Sequence, residues 1–321
     1  MRKPRLFAAL VLSLALSASS AWADDYPRRS IRLVIPFPPG GSNDVVGRIV
    51  ANQLGQKLGQ QVFVDNRASA GGVVGTDVAA KAAPDGYTLV VISIAHAVDP
   101  WLYKLPFDPI KDFVPVGILG TGTNVLTVNP KLPVRSVQEL LDLARQRPGY
   151  LDYGSAGIGS FQNLSGELFK MMANVDIVHV PYKGGGPAMM AVIAGDEQVM
   201  FSSIVQTVPN IQAGALRALA TGGEKRSPIL PDLPTIAEAG VPGYIAADWW
   251  GILAPAGTPQ SIVDTLHAAI EDVLQSADTK KYMDQQGATP LFMSSAEFGQ
   301  YIASEIAKWG PVVKKAGMKA E

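Results

Sequence analysis

The sequence predicts an α/β protein of two lobes, each a mainly parallel sheet covered by helices. Three observations carry that reading. Short β-branched runs alternate with longer stretches of helical periodicity along nearly the whole chain. The runs are apolar at successive positions, as strands buried on both faces are. The series also restarts near residue 124, and a late apolar run returns to the first half. A single large doubly wound domain would give the same alternation. The 321 residues, 47% hydrophobic and 17% charged, hold core material for two domains.

In chain order, Ile31 to Ile35 reads as a strand, and Val45, Ile49, Ala51, Leu54 and Leu58 recur at roughly helical spacing after it. Val62 to Val64, with Gly71-Gly72 and an alanine-rich stretch to Ala83, repeats the unit. Leu89 to Ile92 opens a third after the Pro84-Asp85-Gly86 turn. The second series has a strand at Val125 to Val128 and a capping box at Ser136 to Glu139 that opens a helix to Arg147. A strand at Leu151 to Tyr153, a helix from Ser160 to Met172 and a strand at Ile177 to Val180 follow. A helix to Ala194 and strands at Val199 to Phe201 and Leu216 to Ala220 complete this half. After the proline-rich segment Pro228 to Pro242, the strand Trp249 to Leu253 leads to two helical patterns, Pro259 to Leu274 and Ser294 to Lys315. The expected division is residues 24–122 with 247–321 as lobe 1 and residues 123–246 as lobe 2. The crossings fall near Thr121-Gly122-Thr123 and Ala246-Ala247-Asp248.

Residues 1–23 read as a signal peptide. Arg2, Lys3 and Arg5 precede the apolar run Leu6 to Leu16, and Ala21-Trp22-Ala23 offers an A-x-A cleavage site. Removing them leaves 24 basic against 28 acidic residues, a net charge of −4. A soluble periplasmic protein is therefore expected. No later run reaches the roughly 18 apolar residues of a membrane span. The charge balance gives no surplus to hold nucleic acid. The absence of cysteine removes disulfides, Cys-ligated metals and thiol nucleophiles. His96, His179 and His267 are too widely spaced for a local zinc pair, so no metal, cofactor or catalytic residue is assigned.

Two lobes around a cleft would present ligands to the loops at the carboxyl ends of the strands. The first is Pro36 to Asp44, in which Phe37 and Pro38 lead to Gly40-Gly41 and to Ser42 or Asn43 as a helix cap. Free N–H groups there would attract a carboxylate or phosphate; the alternative is an ordinary tight βα turn. No Gly-Lys pair exists for a Walker A loop. The matching loop, Tyr153 to Ser160, exposes backbone at Gly154, Gly157 and Gly159, with hydroxyls on Ser155 and Ser160. It lacks both G-x-G-x-x-G and G-x-S-x-G. In a third loop, Pro181 to Pro187, Tyr182 would wall a pocket and Gly184 would offer backbone; Lys183 is either an anion partner or simply solvated. Ser93 and His96 end the third strand, His96 reading better as a hydrogen-bonded loop histidine than as a catalyst. Ser202 and Ser203 end another, and Trp249 and Trp250 read as core.

Five motifs occur in order along the chain: Pro36-Phe37-Pro38-Pro39-Gly40-Gly41, Tyr153 to Gly157, His179 to Gly184, Leu230 to Thr235, and Ala254 to Pro259. Together they resemble the Bug (TctC-like) family of periplasmic tripartite tricarboxylate transporter solute receptors. The resemblance implies a two-lobed periplasmic binding protein with a Venus flytrap motion. It implies a small carboxylate ligand held on the Phe37 to Asn43 and Gly154 to Ser160 loops, largely by backbone N–H groups and waters. It also implies a monomer whose partners are membrane transporter subunits or a sensor kinase's periplasmic domain. Two positions depart from the family pattern, which often carries His at Asn163 and an acid at Ser202. The second departure leans the expectation away from an amino acid and towards an aliphatic or aromatic acid. The competing class is an exported enzyme acting on a carboxylate, against which stands the lack of a nucleophile and base pair in the sequence.

Overall fold

A computed structural model describes residues 26–319. Nine strands form one twisted sheet in the order β2-β1-β3-β9-β4-β7-β5-β6, with β8 on the other edge of β4. In the first lobe β1 (Ile31–Ile35), β2 (Val62–Asn66) and β3 (Thr88–Ser93) are mutually parallel. In the second, β5 (Asp152–Ser155), β6 (Val178–Pro181) and β7 (Val199–Ser203) are parallel, and β8 (Arg217–Thr221) pairs antiparallel with β4. Parallel strands require crossover helices, and the expected ones follow each strand. They are α1 (Ser42–Leu58), α2 (Val73–Ala80), α4 (Val137–Gln146), α5 (Phe161–Ala173) and α6 (Gly185–Ala194). Helices α8 (Gln260–Gln275) and α10 (Ser295–Lys315) close the chain.

The lobes are joined by strands. β4 (Phe113–Val128) runs unbroken for 16 residues and β9 (Ala247–Pro255) pairs antiparallel with it from Phe113↔Pro255 to Thr123↔Ala247. Thr121-Gly122-Thr123 thus lies inside a strand. The glycines there are demanded by packing: a Cβ on Gly120 would sit 2.6 Å from the Thr289 carbonyl oxygen, and one on Gly122 would sit 2.8 Å from the Trp250 ring. Two hydroxyls clip the ribbon, Thr121 Oγ1 donating to the Asp248 carbonyl (2.6 Å) and Thr123 Oγ1 to that of Ala246 (3.2 Å).

Three helices escape the periodicity argument. α3 (Ile94–Leu102) and α7 (Ile204–Gln212) contain Pro100 and Pro209, and α9 (Ala277–Gln286) has almost no apolar stripe. The capping box at Ser136 is half formed. Ser136 Oγ accepts from Glu139 N, but Glu139 Oε2 accepts from Arg135 N instead of from the cap. Trp249 and Trp250 are core as read, 1% and 0% exposed. Burying an aromatic side chain of this size contributes roughly 2–3 kcal/mol. The leader and its cleavage site lie outside the described residues. Among the described residues no helix is long and apolar enough to cross a membrane.

Candidate functional site

A cleft of ≈ 340 Å³, solvent at its mouth included, opens between the lobes at the carboxyl ends of the strands. Four helices deliver their N-termini to it. α1 brings Gly41, Ser42 and Asn43; α3 brings Ser93 and Ala95; α5 brings Ser160, Phe161 and Gln162; α6 brings Gly185. Phe37 and Ala156 fill the sides and Asp248 sits in the wall. The first turns of helices carry N–H groups without intrahelical acceptors and the positive ends of their dipoles. Among the described residues that line it, Asp248 is the only ionisable one.

Each loop is braced from behind. Gly41 is the N-cap of α1 and makes no side-chain cap bond, so Ser42 and Asn43 fall in the first turn and do not cap it. The turn is held by Asp44, whose carboxylate accepts from Gly40 N, Arg48 and Asn66. Burial pushes the Asp44 pKa up, but these donors outweigh it and hold the group below its usual range. Asn43 Nδ2 reaches Ser93 Oγ at 3.3 Å. Across the cleft Ser160 Oγ caps α5 by accepting from Asn163 N. Asn163, 2% exposed, accepts from Gly159 N with Oδ1 and donates from Nδ2 to the Tyr153 hydroxyl (3.0 Å). The departure at 163 is therefore the buried brace of this loop.

Of the residues read from the sequence, Phe37, Gly41, Ser42, Asn43, Ser93 and Ser160 come together in the cleft. Pro38, Gly40 and Gly184 stand at its seam, Pro38 packed against Gly184. The others face elsewhere. His96 is on α3, not at a strand end. Its ring packs against Phe107 and Phe113 and its Nε2 meets the Pro109 carbonyl oxygen at 2.9 Å; burial lowers its pKa to about 4. The Tyr182 hydroxyl donates to Glu197 and Lys183 points to solvent. Ser202 is fully buried in β7. Gly154 is packed against Ala188 and Val192.

Ser155 is also turned away from the cleft. Its Oγ lies 2.6 Å from His179 Nε2 and accepts from Gly157 N at 3.0 Å. This is a nucleophile and base pair that the sequence spacing hid, since the partners meet only through the β5-β6 pairing. Ser155 is 0% exposed and absent from the cleft lining, while half-buried His179 borders a separate surface pocket with Asn163 and Glu167, so the pair ties the loop together away from the cleft. Burial lowers the His179 pKa to about 4.

Sequence reasoning passed over Ala95, Ala156, Phe161, Gln162 and Gly185 as ligand contacts and took Asp248 only for a crossing residue. Asp248 is 1% exposed. Its carboxyl accepts from Trp249 N and Ile94 N, and its Oδ2 lies 3.4 Å from Ser42 Oγ. Burial dominates and raises its pKa to about 7. The signal available was its place beside the tryptophans, one residue past a crossing, where a charged side chain has no solvent to enter.

The chain matches the family model "Tripartite tricarboxylate transporter family receptor" over residues 46–318. It belongs to this family. It is 39% identical over 324 residues to the protein BugT of Bordetella pertussis, covering 99% of each chain. Among solved structures, Rhodopseudomonas palustris Rpa4515 with adipate is 38% identical, with a TM-score of 0.90 over 92% of this chain and 100% of that one. MatC (Rpa3494) of the same organism, with bound malate, is 33% identical, with a TM-score of 0.84 over 90% of this chain and 100% of the other. The receptor fold is that of a two-lobed periplasmic binding protein.

Proposed function

We propose that this receptor binds a small carboxylate in the interlobe cleft and hands it, unchanged, to a tripartite tricarboxylate-type membrane transporter. The observation that carries the proposal is the convergence of four helix N-termini on a cleft whose lining has no cationic side chain. Such a site holds an anion by backbone N–H groups and helix dipoles, with hydroxyls and amides of Ser42, Asn43, Ser93, Ser160 and Gln162 fixing its orientation. The adipate and malate of two relatives are anions of this kind.

The remaining assignments belong to the same reading. Residues 1–23 direct export to the periplasm, residues 24–122 with 247–321 move as one lobe and residues 123–246 as the other, and the receptor works as a monomer. Gly41, Ser42, Asn43, Ser93 and Ser160 contact the ligand, with Phe37 as an apolar wall. The transporter is preferred to a sensor kinase as partner because the matched family is named for the transporter. It is not an enzyme on this reading, because neither Ser155 nor His179 lines the cleft.

A thermal-shift panel of mono-, di- and tricarboxylates and aromatic acids tests this. A true ligand at one hundred times its Kd stabilises the fold by ~2.7 kcal/mol. Ligand recovered chemically intact supports the receptor; consumption of the ligand would replace it with an enzyme.

A further inference from the structure

The cleft contains a carboxyl group of its own. Asp248 lies at the end of β9, where α1, α3 and the crossing ribbon meet, buried and facing the hydroxyl of Ser42. It has no cation beside it. The nearest charged pair on α1 is Asp44 with Arg48, each satisfied by the other. On α3 the titratable groups are His96, neutral against the Pro109 carbonyl oxygen, and Asp99, whose carboxyl burial pushes well above its usual range. From α10 come Tyr301, which feels the Asp248 charge, and Glu305, which takes Trp249 Nε1, Trp309 Nε1 and Lys308. α5 carries Glu167 and Lys170, paired with one another. β4 and α6 carry no ionisable side chain. A ligand carboxylate entering this cleft would make two like charges in one water-poor cavity, and such a pair cannot both stay ionised.

We infer that the receptor takes up one proton with its carboxylate ligand, and that Asp248 holds this proton and donates it in a hydrogen bond to the ligand. The inference rests on the carboxylate reading above. The proton comes from solvent when the cleft closes. Asp248 Oδ1 accepts from Trp249 N, and Oδ2, which faces Ser42 Oγ at 3.4 Å, carries the proton into the cleft once the Ser42 hydroxyl turns its own proton away. Burial, opposed by the hydrogen bonds from Trp249, Ile94 and Ser42, already leaves the group at about 7, and an adjacent anion raises it further. Asp248 then acts as a specificity residue. Its O–H matches a ligand oxygen and turns away a ligand ammonium, which would call for the ionised form.

Calorimetric titration of the full mature protein with adipate and with malate, from pH 6 to 8.5 in buffers of contrasting ionisation enthalpy, counts the proton directly. The expected result is uptake approaching one proton per ligand at the alkaline end. Affinity there falls up to tenfold per pH unit. Asp248→Asn carries a permanent donor, so it binds without uptake and with affinity flat in pH. If that variant fails to fold, the wild-type proton count decides alone. Binding without proton uptake would overturn the inference and leave the carboxylate reading standing. So would affinity that rises with pH, with aspartate or glutamate preferred over malate, since Asp248 would then face an ammonium. If no carboxylate binds at all, the functional reading fails and takes this inference with it.

Discussion

Pro38 and Gly184 meet across the cleft so closely that a Cβ on Gly184 would lie 2.1 Å from Pro38 Cγ. Gly184 has a φ of +143°, a conformation that L side chains rarely adopt, and a Cβ on neighbouring Gly186 would lie 3.0 Å from the Pro39 carbonyl oxygen. Nearby, the Tyr103 hydroxyl donates to the Ile158 carbonyl at 3.0 Å, tying the end of α3 to the loop before α5. The lobes are thus in contact, and ligand bonds to both sides depend on that contact. Differential affinity for the closed arrangement is what shifts the population.

Gly184→Ala should hold the lobes apart. Ligand affinity is expected to fall by about tenfold or more, and the radius of gyration at saturating ligand should stay larger than that of the wild type by solution scattering. Part of the effect is backbone strain of order 1–3 kcal/mol, which a urea titration will register separately. Lys183→Met, one residue away and facing solvent, should leave affinity within about twofold.

Asp248 makes stability fall with pH. Its folded pKa, raised to about 7, lies above the unfolded value of 3.8. The contribution is therefore fully present below about pH 4 and lost as pH rises through about 7. Asp248→Asn removes this loss. The melting temperature of the variant relative to the wild type should climb between pH 5 and 8, by the equivalent of a few kcal/mol on an order-of-magnitude basis.

The histidines work in the opposite sense. Burial lowers His96 and His179 from 6.5 to about 4, so the unfolded chain binds protons that the folded one refuses. Their contribution is complete above about pH 6.5 and lost as pH falls through about 4. In the Asp248→Asn background, urea midpoints should drop from pH 6.5 to 4.5, and adding His96→Gln should make the drop shallower.

Asn163→Ala leaves Gly159 N without its acceptor in a buried loop and removes the donor to the Tyr153 hydroxyl, which still donates to Glu167. Stranding buried polar groups costs about 1–3 kcal/mol. Ligand affinity should fall as well, because the loop that presents Ser160 and Phe161 loses its brace. Urea unfolding and binding measured on the same preparation check both effects.

Most strands and the helices with apolar stripes were legible because burial imposes its period on the sequence. Ile31 to Ile35 is β1 residue for residue. The polar α9 carries no such imprint, and in the short helices α3 and α7 Pro100 and Pro209 read against the apolar stripe that is there. The role of the β4 glycines was not legible for a different reason: Gly120 and Gly122 are required because Thr289 and Trp250 approach them, and those partners are distant in sequence. In the cleft, Gly41, Ser42 and Asn43 were legible as a loop that opens a helix. The pairing of Ser155 with His179 was not, and neither was the isolation of Asp248. Both are products of sheet order, which places residues 24 apart side by side in one case and brings α1 within reach of β9 in the other.

The central claim, that backbone at this cleft holds a small carboxylate, is tested most directly by calorimetric titration of the wild type and Gly41→Val with adipate and malate. A Cβ at Gly41 would have only the Pro38 carbonyl oxygen near it, at 3.8 Å, and Gly41 has a φ of −81°, so valine fits the fold and fills space that faces the cleft. The account predicts saturable one-to-one binding of at least one of these acids to the wild type. It predicts a loss of tenfold or more in Gly41→Val at nearly unchanged melting temperature. Equal affinity in the two proteins would contradict it.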